Sequence, residues 1–318
     1  MGLALAVLWP VEVARLLFDM PGPVTWAASA LFLVFLVLAL VTGDTATRVL
    51  TALLLAGIAA LVQVDGAEIA AIAGFQDAMI FAAFLPSVFL LRNAVAGDRR
   101  LVDYRDRVAA ADPERNKGLV LIGGHLIGST LTLGAFAVLS PVVPVDAGER
   151  ARRDLALAAI FGVCLSVIWS PVFVAMAVVS EFMPQIALWK FVLVGLALAA
   201  LGLIFAFARI KVPNRLALAA DGVRGLSGIL PWVVATAVFI VGLRSITGLS
   251  TLEAAALTLP PLAAALLTMQ PGGGVRAALA ATGRSLGRLG AEISIVAWAF
   301  TLGAVMRASP TVEGAVRG

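Results

Sequence analysis

Apolar positions in this chain come in long blocks, with the charges gathered between them. Trp26–Val41, Ile186–Ala208 and Leu230–Leu243 are almost free of charge. None alternates apolar with polar residues as the strands of a membrane barrel must, so the blocks read as helices. A helix needs about 20 apolar residues to cross the hydrocarbon core. On that scale the blocks predict spans near 24–42, 47–63, 69–92, 154–180, 186–208, 226–247, 251–270 and 290–307. Residues 1–23 lack a basic leader and carry Glu12 and Arg15. They predict a short first span or an interfacial helix rather than a cleaved signal. The expected fold class is an all-α integral membrane protein of about 8–9 transmembrane helices.

One further apolar stretch, 119–143, decides the topology. The segment before it holds Arg92, Arg99, Arg100, Arg105, Arg107, Arg115 and Lys117, and is expected in the cytoplasm. A single crossing would then export Arg150, Arg152 and Arg153. Continued alternation would also export Arg209, Lys211, Arg215 and Arg224, then Arg276, Arg284 and Arg288. A stretch that enters and returns keeps all of these cytoplasmic and leaves Asp65, Glu68, Glu181 and Glu253 on the opposite face. Because the Lys/Arg bias sets orientation, a re-entrant hairpin over 119–143 is expected.

Local sequence fits that reading. The run Leu121–Gly134 is rich in glycine and hydroxyl groups. Gly128 would permit the turn, and Ser129 or Thr130 would cap the returning arm. The alternative is that these glycines let one continuous helix pack closely against its neighbours. The next span is expected to break at Pro171, with Ser170 as N-cap of a second half-helix; the alternative is a proline kink. Between Arg99 and Ala111, the residues Leu101, Val102, Tyr104 and Val108 among charges predict a surface helix stopped by Asp112-Pro113.

Composition narrows the chemistry. The apolar fraction is 61% and the charged fraction 13%, against roughly 45–50% and 25% for soluble domains. The one cysteine, Cys164, excludes a disulfide framework, and the one histidine, His125, leaves little for zinc or triad chemistry, so no metal, cofactor or enzymatic activity is expected. A net charge of +4 reads as basic cytoplasmic loops and not as a nucleic-acid surface. Asp77, in Gly74-Phe-Gln-Asp-Ala-Met79, is the acid placed deepest in a predicted span. It is a candidate proton or cation site or, alternatively, an interfacial cap. His125 is either a second proton site or a neutral packing residue.

Three spans, a surface helix (99–111), a re-entrant hairpin (119–143), a broken span (154–180) and a further span follow in an order that resembles one repeat of the ion transporter superfamily, which includes the divalent anion/sodium symporters. The resemblance covers residues 24–307. It implies an inverted-repeat fold whose hairpin tip faces the broken helix around a midplane solute and Na⁺ site. The matching positions are Gly128, Ser129, Thr130 and Thr132 at the hairpin, and Ser166, Trp169 and Ser170 at the break. The symporters' Ser-Asn-Thr tip signature is absent, since 119–143 holds no asparagine.

On this reading residues 24–208 form a first repeat, 209–225 a cytoplasmic loop, and 226–318 an inverted second repeat that stops after three spans. A second hairpin and two more spans would need on the order of 100–130 further residues. The expectation is therefore that this chain does not transport unaided, and that a homodimer or a second chain completes it. The implied function is a permease: secondary active transport of a small, anionic solute coupled to Na⁺ or H⁺, in a bacterial inner membrane with basic loops cytoplasmic. The alternative is a non-transporting membrane subunit that assembles with a partner in the bilayer.

Overall fold

The computed structural model describes residues 1–18, 20–132, 134–142, 148–210, 215–270 and 274–317. Every element among them is helical. In chain order these are α1 (Gly2–Leu17), α2 (Gly22–Thr42), α3 (Thr45–Asp65), α4 (Glu68–Ala78), α5 (Phe81–Ala96), α6 (Arg99–Ala109), α7 (Pro113–Leu131), α8 (Gly134–Leu139) and a 3₁₀ turn, Ser140–Val142. They continue with α9 (Glu149–Val167), α10 (Val174–Phe182), α11 (Leu188–Ile210), α12 (Arg215–Gly225), α13 (Leu230–Thr247), α14 (Thr251–Thr268), α15 (Gly274–Leu286), α16 (Gly290–Ala308) and α17 (Pro310–Arg317).

Seven helical stretches among the described residues are long and apolar enough to cross a membrane: Gly22–Thr42, Thr45–Asp65, Glu68–Ala96, Leu188–Arg209, Leu230–Thr247, Thr251–Thr268 and Gly290–Ala308. Leu33, Val37, Leu53, Leu201, Phe205 and Val238 stand exposed on them. Water would not tolerate so much contiguous apolar surface, whereas lipid requires it. The chain is an all-α membrane protein. The span expected at 154–180 is divided between α9 and α10, so it does not count among the seven.

The chain divides into two compact units, Met1–Phe89 with Leu279–Gly318, and Leu90–Ala278. In the first unit α16 packs against α2, α3 and α4. Phe75 joins these helices, its ring 5.5 Å from that of Phe32 and 5.7 Å from that of Trp298. The third predicted span is not one regular helix. At Met79–Ile80 the backbone tightens into i→i−3 bonds, with the Met79 amide donating to Gln76 and that of Ile80 to Asp77, a change that periodicity alone does not announce. Within residues 1–23 the stretch Gly2–Leu17 forms α1, where Glu12 is buried and paired with Arg15 at 2.7 Å. Asp65 accepts from Ser309 and Thr311, holding the start of α17.

In the second unit the surface helix expected at 99–111 is α6. Its N-cap Asp98 accepts from the Arg100 amide, and Leu101, Tyr104 and Val108 form its buried face. Tyr104 wedges beside Gly123 and Gly225 and donates its hydroxyl to the Leu119 carbonyl at 2.7 Å. Burial pushes its phenol upward, against the smaller opposing effect of Arg107, so it stays protonated as a donor. Two stretches expected as loops are partly helical. Residues 215–225 form α12, which packs on α7, and 274–286 form α15. Their basic residues dominated the charge count, but leucine and alanine between them give each helix a side to bury.

Candidate functional site

The core of the second unit is the pair α7 and α9. Lys117 meets Asp154 at 3.0 Å near the start of both helices. Gly124 lies against Ala159 and Gly162, and Gly128 against Val163 and Ser166. Partner numbers rise together along both helices, so the two run parallel. Two parallel helices in succession require the chain between them to come back. It does so through a reversal after Leu131, followed by α8 and the 3₁₀ turn, which packs on α6.

The reversal is not at the expected tip. Gly128, Ser129 and Thr130 lie inside the last turn of α7. The helix ends at Thr132, whose amide donates to the Gly128 carbonyl at 2.8 Å and whose φ of 53° is the one positive value outside glycine among the described residues. The Ser129 hydroxyl donates to the Leu126 carbonyl and that of Thr130 to the Ile127 carbonyl. They therefore do not cap a returning arm; like many helical hydroxyls they bond back into their own helix. Gly128 serves close packing, since an added Cβ would come within 2.9 Å of Ser166 Oγ. The close-packing alternative holds for this glycine, while the chain still reverses beyond it.

The interruption falls at Pro171 as expected, and the second half-helix starts later than expected. Helix α9 ends at Val167 and α10 starts at Val174 with Phe173 as N-cap, so Ser170 and Pro171 lie in the unwound segment between them. Ser170 is not the N-cap, because α10 starts four residues further on, after Phe173. It donates to the Ser129 carbonyl at 2.5 Å and accepts from the Val172 amide at 3.3 Å. The Ser166 hydroxyl donates to Val163. The unwound backbone is supported from behind by Gly195 of α11, where a Cβ would meet the Trp169 Cα at 2.9 Å. Beside the break a cavity of about 490 Å³ is lined by Val167, Ile168, Met176, Lys190, Phe191 and Gly195.

Seven of the expected residues thus come together: Gly128, Ser129 and Thr130 with Ser166, Trp169 and Ser170, and His125 one turn earlier. His125 and Trp169 are in ring contact, with centroids 5.9 Å apart. Thr132 terminates the same helix. Asp77 does not join them within one unit: it belongs to the first, exposed on α4 at the tightened turn. Its neighbour Gln76 lines a cavity of about 440 Å³ with Trp26, Phe75, Trp298 and Thr301. Helix ends set the local electrostatics. The end of α7 presents carbonyls, partially negative, whereas the first amides of α10, Val174 to Met176, have no acceptor within their helix.

One cluster was missed at the sequence level. The Thr251 amide donates to Glu181 at 2.8 Å, its hydroxyl meets Ser180 at 2.6 Å, and Arg244 donates to Thr251 and to the Ser180 carbonyl. This ties α10 to α13 and α14. The available signal was Arg244 itself, a basic residue among acids on the expected outer face.

No family model matches the chain, and neither a curated protein nor a solved structure matches it.

Proposed function

We propose that this protein is a membrane permease whose solute site lies where the end of α7 meets the unwound segment between α9 and α10. The observation that carries this reading is the bond from Ser170 to the Ser129 carbonyl. It joins an interrupted helix to the end of a helix that stops and reverses, at a place where lipid could not satisfy irregular backbone. Such backbone at membrane depth is tolerated where it lines a cavity, and paired broken elements are the usual architecture of transporter sites. The parallel course of α7 and α9 supports a re-entrant hairpin over 119–143, with the basic ends of both helices on one face. The likeness to the ion transporter superfamily and the coupling to Na⁺ or H⁺ are parts of this proposal.

A second reading, a packing subunit without a transport cycle, is favoured by one observation. The hydroxyls of Ser129, Thr130 and Ser166 are all satisfied by their own helices.

Alternating access separates the two. In a Cys164→Ala background, Trp169→Cys in oriented proteoliposomes should react with a small, membrane-impermeant thiol reagent added from either side in turn. Reaction from neither side, or from one side alone, would favour the packing subunit.

A further inference from the structure

Helices α10 and α11 follow one another across residues 183–187, yet each packs chiefly elsewhere, α10 on α14 and α11 on α9. The cavity of about 490 Å³ beside the break lies between them. Lys190, Val194 and Leu198 line it from α11, at the i, i+4, i+8 spacing that marks one face of a helix. Met176 and Val179 line it from α10, and Ile168 lines it at the end of α9. From Lys190 to Leu198 this face runs about 12 Å. Ile168, Val179, Val194 and Leu198 are all exposed, so the recess opens toward lipid. An apolar recess stays dry, and in a bilayer hydrocarbon is what fills it.

One end of the recess is charged. Lys190 stands exposed in the first turn of α11, and among the described residues it makes no ion pair. Its Nζ lies 5.6 Å from the centroid of the exposed Trp189 ring. A tryptophan and a lysine at the end of an apolar span belong at the membrane–water interface, the ring among headgroups and the ammonium reaching toward water. Glu181, the acid closest to Lys190 in sequence, is engaged by the Thr251 amide at 2.8 Å. The start of a helix is also its partially positive end, where a cation is disfavoured and an anion is favoured. Lys190 thus presents an unanswered positive charge at the mouth of an apolar recess.

We propose that this recess binds an anionic glycerophospholipid of the surrounding bilayer. Its phosphate sits at Lys190 and the start of α11, and one acyl chain lies along Val194 and Leu198. A soluble anion would leave the apolar length unfilled. A zwitterionic lipid brings its own cation to the headgroup and gains less from Lys190. The acyl chain abuts Ile168, so the bound lipid supports the interrupted helix from the membrane side, whether or not the protein transports a solute.

Native mass spectrometry of the full chain, released from mixed micelles with equal dioleoyl phosphatidylglycerol and dioleoyl phosphatidylcholine, reads the retained lipid directly. Wild type should retain phosphatidylglycerol in preference. Lys190→Gln should lower that preference about fivefold, the effect of one basic residue near a membrane surface. Arg276→Gln removes an exposed charge from α15 and should leave the preference unchanged. Val179→Trp fills the recess and should displace the retained lipid with Lys190 still in place. Glycerol 3-phosphate, a head without chains, should not compete even in large excess. Phosphatidylglycerol should also raise the unfolding midpoint of wild type more than that of Lys190→Gln, a comparison that shows both chains folded.

Equal retention of the two lipids, or a preference that survives Lys190→Gln, would overturn the proposal. An unchanged signal in Val179→Trp would put the lipid elsewhere on the chain and overturn it too. Displacement by glycerol 3-phosphate would make the recess a site for a soluble anion instead.

Discussion

Gly162 is the residue on which the α7–α9 pair depends most. A Cβ there would collide with the Leu121 carbonyl and lie 2.8 Å from the His125 amide, and neither backbone group can move without displacing its helix. Gly162→Ala should therefore lower stability by about 1–3 kcal/mol, the usual range for overpacking. Thermal unfolding in detergent would read this, and an unchanged midpoint would show that the helices are less tightly held. A surface residue gives a pH-dependent counterpart. Asp44 caps α3, and hydrogen bonds from Thr47 hold its carboxyl below the ordinary value of 3.8. Its folded value is depressed, so its contribution is present above that pH and is lost as pH falls through the folded value. Asp44→Asn keeps the cap without titrating. The stability advantage of wild type over that variant should shrink on acidification in unfolding curves between about pH 5 and pH 3. At this scale the resemblance grouped Ser129, Ser166, Trp169 and Ser170, and the fold brings them together where α7 ends beside the interrupted helix. The sequence did not assign their bonds. Whether a serine hydroxyl caps a helix or bonds back into one depends on where that helix ends.

That end is set at the element scale by Thr132. Its φ of 53° with ψ of −132° is backbone that a Cβ opposes and glycine adopts freely. Thr132→Gly should stabilise the protein by about 1 kcal/mol, less any entropy lost to a freer unfolded chain. A drop in the unfolding midpoint would mean that the Thr132 side chain holds the reversal together. The re-entrant hairpin proposed over 119–143 rests on the charge pattern together with the parallel course of α7 and α9, and Gly128 does not mark its turn. Glycine at 128 suggested a turn, yet glycine also permits close helix contact, and only the partner helix α9 decides between them. The helices α12 and α15 were illegible for a related reason. Their basic residues read as loop until α7 appears as the surface that α12 covers. The tightened turn at Met79–Ile80 carries no marker residue at all.

At the scale of the whole molecule, seven long apolar helices follow directly from the hydropathy blocks, and the all-α membrane architecture was plain from the sequence. Charges that broke the expected asymmetry were informative in retrospect. Arg15 is paired with Glu12, and Arg244 is held beside Glu181, so each is retained by a local partner. If the chain enters the membrane at α7 and returns before α9, as proposed, then α6 and the start of α9 share one face. Asp103 and Glu149 are exposed on those two elements, and Gln185 is exposed between α10 and α11. Single cysteines at these three positions in a Cys164→Ala background, treated with an impermeant maleimide in sealed oriented vesicles, test the claim most directly. Positions 103 and 149 should label from the same side and position 185 only from the other. Labelling of 103 and 149 from opposite sides would make 119–143 an ordinary crossing and contradict the account.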